Sequence, residues 1–258
     1  MLNKPQKDIK DQLDLAYERY ARPDFIPNDP IQIPHRFSGK EDIEIAGFLA
    51  ATIAWGQRIT IINNAKKLII MMDGAPHDFI VHHKASDRKR LASFVHRTFN
   101  AVDAMYFFEA LQHLYLKKGG LETAFIPKSG IGIKERLMHF HQLFFELEHL
   151  TRTRKHVSNP EKGSSAKRLN MYLRWMVRSP KEGVDFGIWK NINPEELMMP
   201  LDVHTGTVGR RLGLLKRKQD DWKAVEELTS ALRKFDQADP VKYDFALFGL
   251  GIDQRINP

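Results

Sequence analysis

The sequence contains no cysteine. This absence excludes disulfide bonds, a cysteine nucleophile, a thiolate zinc site and a cysteine-ligated iron–sulfur cluster. No apolar run is long enough to span a bilayer, and the first segment, MLNKPQKDIKDQLDL, lacks the apolar core of a signal peptide. We therefore expect a soluble, cytoplasmic protein with no membrane partner.

The chain is basic. Its 258 residues carry a formal net charge of +8, while 42% are hydrophobic and 28% are charged. That balance is ordinary for a globular protein, and the length suits one large domain or two small ones. The excess of positive charge favours an anionic partner such as nucleic acid, although many basic proteins bind none.

Apolar residues recur at helical spacing along most of the chain, and no series of alternating strands with hairpin signals is present. The fold class predicted is all-α. Four prolines between residues 23 and 34 predict an extended connection, and residues 119–132 and 152–165 predict loops. Helices are predicted over residues 6–20, 41–54, 60–73, 103–117, 133–150, 166–178, 205–214, 221–235 and 240–249.

Two residues in the C-terminal half have reactive side chains and lie at the starts of predicted helices. Lys167 begins a predicted helix, where the helix dipole opposes its charge and favours the neutral, nucleophilic amine. An exposed surface lysine is the plain alternative. Asp202 precedes the next helix, where its carboxylate either caps that helix or stabilises a developing cation. Gly206 and Gly209 in that helix indicate close approach of a neighbouring helix or of a ligand.

Three blocks carry a resemblance to a known superfamily. Residues 200–214, PLDVHTGTVGRRLGL, resemble the proline–aspartate–histidine segment of the helix–hairpin–helix DNA glycosylases, which include endonuclease III and the 8-oxoguanine glycosylases. Residues 164–173, SSAKRLNMYL, are similar to the helix that opens with the lysine of the lyase members. Residues 47–68 and 243–252 look like the early helices and the closing apolar helix of the catalytic module.

The hairpin departs from the pattern of the superfamily. Residues 160–168, PEKGSSAKR, hold one glycine where the usual hairpin, LPGVG, has two, and the segment between Lys167 and Asp202 is unusually long. The archaeal 8-oxoguanine glycosylase branch has similar irregularities, so the resemblance is nearest to that branch. The whole chain also resembles a bacterial family known only as a domain of unknown function, with KRLNMxLRWMVR and PLDxH blocks.

The resemblance implies two packed helical subdomains, residues 45–150 and residues 1–44 with 151–258, with the active site in the cleft between them. It implies a base-excision-repair DNA glycosylase with AP lyase activity, in which Lys167 and Asp202 are catalytic and 8-oxoguanine is the first lesion to expect. The partner is then double-stranded DNA with a damaged base, extruded from the stack. A monomer associated with the nucleoid is expected, with no cofactor and no metal.

The same resemblance supplies the remaining site residues. The implied base pocket consists of Trp55, Gln57, Met171, Asp244 and Phe248, with Trp175 or Trp189 as further walls. The implied DNA-binding residues are Arg58, Arg152, Arg154, Lys155, Lys162, Ser164, Ser165, Arg168, His204 and Thr205. Each tryptophan has ordinary core packing as its alternative.

Two other functions stay open at this stage. A helical nucleic-acid-binding protein that kept the fold and lost the chemistry would share the basic charge and the hairpin. A metal-dependent hydrolase is suggested by His77, His82, His83, His139 and His141, but no HExxH motif is present and residues two apart do not share a helix face.

Overall fold

A computed structural model describes residues 2–129 and 132–256. It is 66% helix and 2% strand, so the protein is all-α, as the apolar periodicity predicts. Within the described residues, none of the helices is long and apolar enough to cross a membrane. The α-helices are α1 Lys4–Tyr20, α2 Lys40–Thr52, α3 Arg58–Met71, α4 Pro76–His82, α5 Ala101–Lys117, α6 Gly120–Ala124, α7 Ile133–Phe144, α8 Lys167–Val177, α9 Val203–Arg211, α10 Trp222–Arg233 and α11 Tyr243–Ile256.

The chain divides into two compact units. The terminal unit joins the described residues up to Phe25 to those from Asn159 onward, and the central unit is Ile26–Ser158. The boundaries inferred from the sequence, near residues 45 and 150, differ because the turns at Pro30–Gln32 and Pro34–Arg36 pack against α2. Residues 26–44 therefore belong with the central unit.

The proline-rich segment is not the extended connection that its composition predicts. It forms three short 3-10 helices, Pro23–Asn28, Pro30–Gln32 and Pro34–Arg36, each beginning at a proline. Proline suits that first position because its fixed φ fits a helical turn and its missing N–H would have had no partner there. The side chain of Asp29 caps the second turn by accepting the N–H of Ile31 at 3.0 Å.

The central unit is built around α2. Every residue of this helix from Ile43 to Thr52 is buried, and α3, α4 and α6 pack around it. The Phe48 ring meets the rings of Phe107, Phe140 and Phe144 at centroid distances of 5.4–5.9 Å. Aromatic rings at such distances add specific attraction to the burial of apolar area, so this cluster is the core of the unit.

Three local predictions in the central unit were wrong. The loop predicted over residues 119–132 contains α6, which starts after Gly119 in the left-handed conformation (φ +80°) and buries Leu121. The helix predicted over residues 133–150 ends at Phe144. A two-residue antiparallel hairpin pairs β1 Val95–His96 with β2 Phe99–Asn100, too short to show an alternating pattern.

The terminal unit is organised by the contact of α11 with α1 and α9. At Gly249 a Cβ would lie 2.0 Å from Cδ2 of Tyr20, so α1 approaches α11 as closely as glycine permits. At Gly251 a Cβ would meet Val208 of α9 at an ordinary 3.5 Å. The N-terminal ends of α8 and α9 and the first turn of α11 carry the candidate catalytic residues.

Candidate active site

The turn before α8 fixes where Lys167 begins its helix. A 3-10 turn, Pro160–Lys162, leads through Gly163 (φ +82°) to Ala166, which is fully buried and has φ +47°. The left-handed conformation costs a residue other than glycine about 1–2 kcal/mol. The N–H of Ala166 donates to the hydroxyl of Ser164 at 3.2 Å, which helps to hold this conformation.

Lys167 and Asp202 meet within the terminal unit. Lys167 Nζ lies 3.7 Å from Asp202 Oδ2, and each side chain is about one-third exposed. Asp202 Oδ1 accepts the backbone N–H groups of His204 at 2.9 Å and Thr205 at 3.0 Å, so this aspartate is the N-cap of α9. The cap fixes one oxygen and leaves the other facing the amine, beside solvent.

Asp244, in the first turn of α11, is the third member of this cluster. Its side chain is 13% exposed and accepts a hydrogen bond from Arg174 Nη1 at 2.5 Å. Burial raises the pKa of Asp244 to about 6, although Arg174 and Lys167 lower it; the negative charge of Asp202 adds to the increase. The carboxyl of Asp244 is therefore set to change protonation near neutral pH.

Asp244 is linked through Arg174 to a buried network of hydrogen-bonded arginines and aspartates, which the interpretation of the sequence missed. Arg174 also donates to Asp185 at 3.3 Å, and Arg178 donates to Asp185 at 3.0 Å and to Asp239 at 2.8 Å. Burial opposes the charge of Arg178, but Asp239 and Asp185 outweigh it and raise the pKa of the guanidinium. The signal in the sequence was Arg174 within the mostly apolar residues 169–177 and Arg178 directly after them, four residues apart.

Besides Asp244, two of the implied pocket residues lie on the helices that carry this cluster. Met171, one turn after Lys167, is 8% exposed, and its sulfur lies 3.7 Å from Lys167 Nζ. Phe248, one turn after Asp244, packs edge-on against Phe25 with ring centroids 5.7 Å apart. Trp175 and Trp189 are fully buried, so they are core residues rather than pocket walls.

The other implied pocket residues, Trp55 and Gln57, belong to the central unit. Trp55 stacks on His156 at 5.9 Å and meets His96 edge-on at 4.9 Å, which leaves it half-buried. Gln57 is exposed at the N-cap position of α3, and its side chain makes no capping hydrogen bond. Arg58 is exposed at the first position of the same helix.

Two of the implied DNA-binding residues are engaged in contacts within the chain. Arg152 donates to the fully buried Asp103 at 2.7 Å, to Asn100 at 3.1 Å and to the carbonyl of Thr98 at 2.8 Å. Its charge is therefore used inside the central unit. Thr205 is 3% exposed, so its side chain is part of the packing of α9 and only its backbone faces the Asp202 cap.

The remaining implied DNA-binding residues are divided between the units. In the central unit, Arg154 and Lys155 are exposed, and Arg154 also covers the ring of Phe145. The terminal unit holds the exposed Lys162 and His204 and the half-buried Ser164, Ser165 and Arg168. Burial lowers the pKa of Arg168 to about 10, so this residue is less open to solvent than the basic loop predicts.

The glycines of α9 are explained by packing. A Cβ at Gly206 would lie 2.7 Å from Asp220 Oδ1 and 2.9 Å from Arg210 Nη1. A Cβ at Gly209 would lie 3.2 Å from the side chain of Leu228. Of the two alternatives for these residues, close approach of protein neighbours accounts for both.

Two of the histidines that suggested a metal site make other contacts. His83 Nδ1 lies 2.9 Å from the carbonyl of Ile80, and His82 Nδ1 lies 3.0 Å from the carboxylate of Asp78. In residues 2–129 and 132–256 there is no group of three or more histidine, aspartate or glutamate side chains arranged to hold a metal ion.

These features define an all-α protein with a lysine–aspartate pair at the N-terminal ends of two helices. The chain belongs to the family described as "Protein of unknown function (DUF2400)", whose model matches residues 29–253. The match starts after α1 and contains Lys167, Asp202 and Asp244. No match was found among the curated proteins or among the solved structures.

Proposed function

We propose that this protein is a helix–hairpin–helix DNA glycosylase with AP lyase activity that removes an oxidised purine, with 8-oxoguanine as the first candidate. The observation that carries the proposal is the 3.7 Å approach of Lys167 Nζ to Asp202 Oδ2. A lysine and an aspartate in this order, each opening a helix, match the blocks of the superfamily. The lesion rests on the resemblance and not on a contact.

The chemistry assigned to the pair is a covalent displacement. The unprotonated amine of Lys167 attacks C1′ of the deoxyribose while the bond from C1′ to the base breaks, and the lysine nitrogen, now bonded to C1′, then releases a proton to the departing base. The base leaves with the electron pair and takes up a proton. The capped carboxylate of Asp202 faces the positive charge that grows on the sugar, in a place where two backbone N–H groups hold it fixed.

The second step opens the sugar ring. The bond from C1′ to the ring oxygen breaks, the oxygen takes up a proton, and the lysine nitrogen and C1′ form an imine. Loss of a proton from C2′ then expels the 3′ phosphate and cuts the strand. Asp244 is the candidate to hold the displaced base, because it lies on the same cluster and its ionised form accepts an N–H of a purine.

Borohydride trapping tests the proposal. The full chain is incubated with duplexes carrying either 8-oxoguanine or an abasic site, and borohydride reduces an imine to a stable amine that joins protein to DNA. We expect an adduct on both duplexes with the wild-type chain and none with Lys167→Gln. The matched control is Lys89→Gln, because Lys89 is an exposed lysine of the central unit.

The two duplexes separate the two activities. An adduct on the abasic duplex alone would keep the lyase and remove 8-oxoguanine as the lesion. No adduct on either duplex, together with tight binding, would overturn the proposal in favour of the non-catalytic nucleic-acid-binding protein. An undiminished adduct with Lys167→Gln would remove Lys167 as the nucleophile.

A further inference from the structure

The segment that joins α9 to α10 is strongly basic. Residues 210–223 contain six lysines and arginines and two aspartates. Both aspartates already bind an arginine, since Arg210 donates to Asp220 at 2.6 Å and Arg217 donates to Asp221. The hydrogen bond from Arg217 lowers the pKa of Asp221 to about 2, so this carboxylate stays ionised and engaged.

The three lysines of the segment take no part in these two ion pairs. Lys216, Lys218 and Lys223 are exposed, and none of them makes an ion pair with a described side chain. The carboxylate of Glu227 accepts the backbone N–H groups of Lys216 at 2.7 Å and Arg217 at 3.3 Å, which fixes the course of the loop. An open depression of about 530 Å³ is lined by Lys216, Arg217, Lys218, Gln219, Lys223 and Glu227.

The turn before α8 is joined directly to this segment. The N–H of Trp222 donates to the carbonyl of Gly163 at 3.0 Å, and Ser164 pairs with Asp221 in an antiparallel bridge. Lys162 is exposed on that turn. We call Lys162, Lys216, Lys218 and Lys223 the basic surface, because backbone hydrogen bonds hold all four on two adjoining segments of the terminal unit.

We infer that the basic surface binds the phosphates of a DNA strand, without reading its sequence. Lysine ammonium groups on flexible stems act as point charges for phosphates and do not have the fork that reads a guanine edge. α9 runs from the Asp202 cap to Arg211, a length of about 14 Å and so about four base-pair steps of B-DNA, and residues 212–215 join its end to this surface. The surface would then hold backbone on one side of the lesion.

This inference rests on the proposed function only for the choice of DNA as the polyanion and for the lesion at Lys167. Binding to an undamaged duplex needs no chemistry, so it is measured independently of trapping. The probe is a fluorescent duplex of undamaged DNA, titrated with the full chain at a series of salt concentrations.

The test variant is Lys216→Gln combined with Lys218→Gln and Lys223→Gln. Each lost phosphate contact lowers the slope of log affinity against log salt by about 0.9, so we expect the slope to fall by up to about 3 and the affinity at low salt to fall by about 10- to 100-fold. The control removes three exposed lysines of the central unit, Lys67, Lys89 and Lys128, which changes the net charge equally. We expect that control to weaken binding by less than about 3-fold.

Arginine replacements keep the test falsifiable if the glutamine variant is poorly folded. The triple variant Lys216→Arg, Lys218→Arg and Lys223→Arg retains the positive charge, and we expect it to bind the undamaged duplex as tightly as the wild-type chain does. Equal losses in the test and control triples would overturn the inference, as would an unchanged salt slope or a wild-type chain that does not bind the duplex at low salt.

The result of the duplex titration can be distinguished from the result of borohydride trapping, which tests the proposed function. Loss of binding in the triple variant without any borohydride adduct in the wild-type chain would support the basic surface and remove the glycosylase. An adduct that depends on Lys167, together with unchanged binding by the triple variant, would do the reverse.

Discussion

Lys167 Nζ lies 3.7 Å from one oxygen of Asp202, while the other oxygen of that carboxylate caps α9. Asp202 therefore has a structural role and a candidate chemical role that use different atoms. The two roles can be separated, because asparagine is as good an N-cap residue as aspartate but carries no charge.

We predict that Asp202→Asn keeps the stability and loses the activity. Its free energy of unfolding should stay within about 0.5 kcal/mol of the wild-type value, because the amide oxygen still accepts the two N–H groups. The single-turnover rate of adduct formation should fall by about 100-fold or more, because the charge facing the sugar is lost. Asp202→Ala should lose the same activity and about 1 kcal/mol of stability by urea denaturation. Wild-type rates in Asp202→Asn would limit this residue to capping.

The protonation of Asp244 should appear in the stability of the protein. Its pKa rises from 3.8 to about 6 on folding, so the folded chain holds this proton more tightly than the unfolded chain. The stabilisation by this group is complete below about pH 4 and is lost as the pH rises through about 6. Asp244→Asn does not titrate. We predict that the free energy of unfolding of the wild-type chain, relative to Asp244→Asn, falls by on the order of 3 kcal/mol between about pH 4 and pH 7.

Urea denaturation of both chains across this range measures the effect. A difference that does not change with pH would mean that Arg174 keeps Asp244 ionised throughout. The rate of base release should also rise with a midpoint near pH 6 if the ionised form holds the base, and the Asp244→Asn variant should lack that rise.

Much of the fold could be predicted because apolar periodicity is a local signal. The helix around Leu228 buries a face that recurs at helical spacing, the helices around Phe48 and Leu169 are apolar and buried along most of their length, and α1 begins at a capping box of Asn3 and Gln6. The proline turns and α6 could not be predicted in the same way. The turns Pro30–Gln32 and Pro34–Arg36 and α6 all pack against α2, a long-range contact that the local sequence does not show.

The candidate site also has one part that the local sequence predicts and one part that depends on tertiary contacts. Lys167, Asp202 and Asp244 stand in recognisable sequence blocks, so their types and order are visible without a structure. The network of Arg174, Asp185 and Asp239 is not, because its members lie on separate segments and meet only when the terminal unit is folded. Arg152 is exposed, as its basic sequence context predicts, but its pairing with the buried Asp103 is a long-range contact that the sequence does not show.

We predict that Arg152 stabilises the central unit and does not contribute to DNA affinity. Arg152→Gln removes a charged partner of the fully buried Asp103 and should lower the free energy of unfolding by about 1–3 kcal/mol. Lys155→Gln, three residues on and exposed, should change stability by less than about 0.5 kcal/mol. Urea denaturation and duplex titration of both variants provide the comparison. A larger loss of affinity in Arg152→Gln than in Lys155→Gln would return Arg152 to the DNA-binding residues.

The contact of Gly249 with Tyr20 gives a sharper test of the fold, because it ties α11 to α1. In Gly249→Ala the new methyl would lie 2.0 Å from the Tyr20 ring, so the helices must separate or the ring must move. We expect a loss of about 1–3 kcal/mol in the free energy of unfolding. Gly251→Ala adds the same methyl to the same helix at an ordinary distance from Val208 and should be neutral or stabilising by up to about 1 kcal/mol.

A double-mutant cycle identifies the cause of the stability loss expected for Gly249→Ala. In a Tyr20→Ala background the methyl of Gly249→Ala has room, so its cost should largely disappear, although Tyr20→Ala itself destabilises by removing the ring. Urea denaturation of the four chains gives the coupling energy directly. Additive losses would mean that Gly249 is needed for its backbone and not for the approach of α1, and the packing assigned to the terminal unit would then be wrong at this contact.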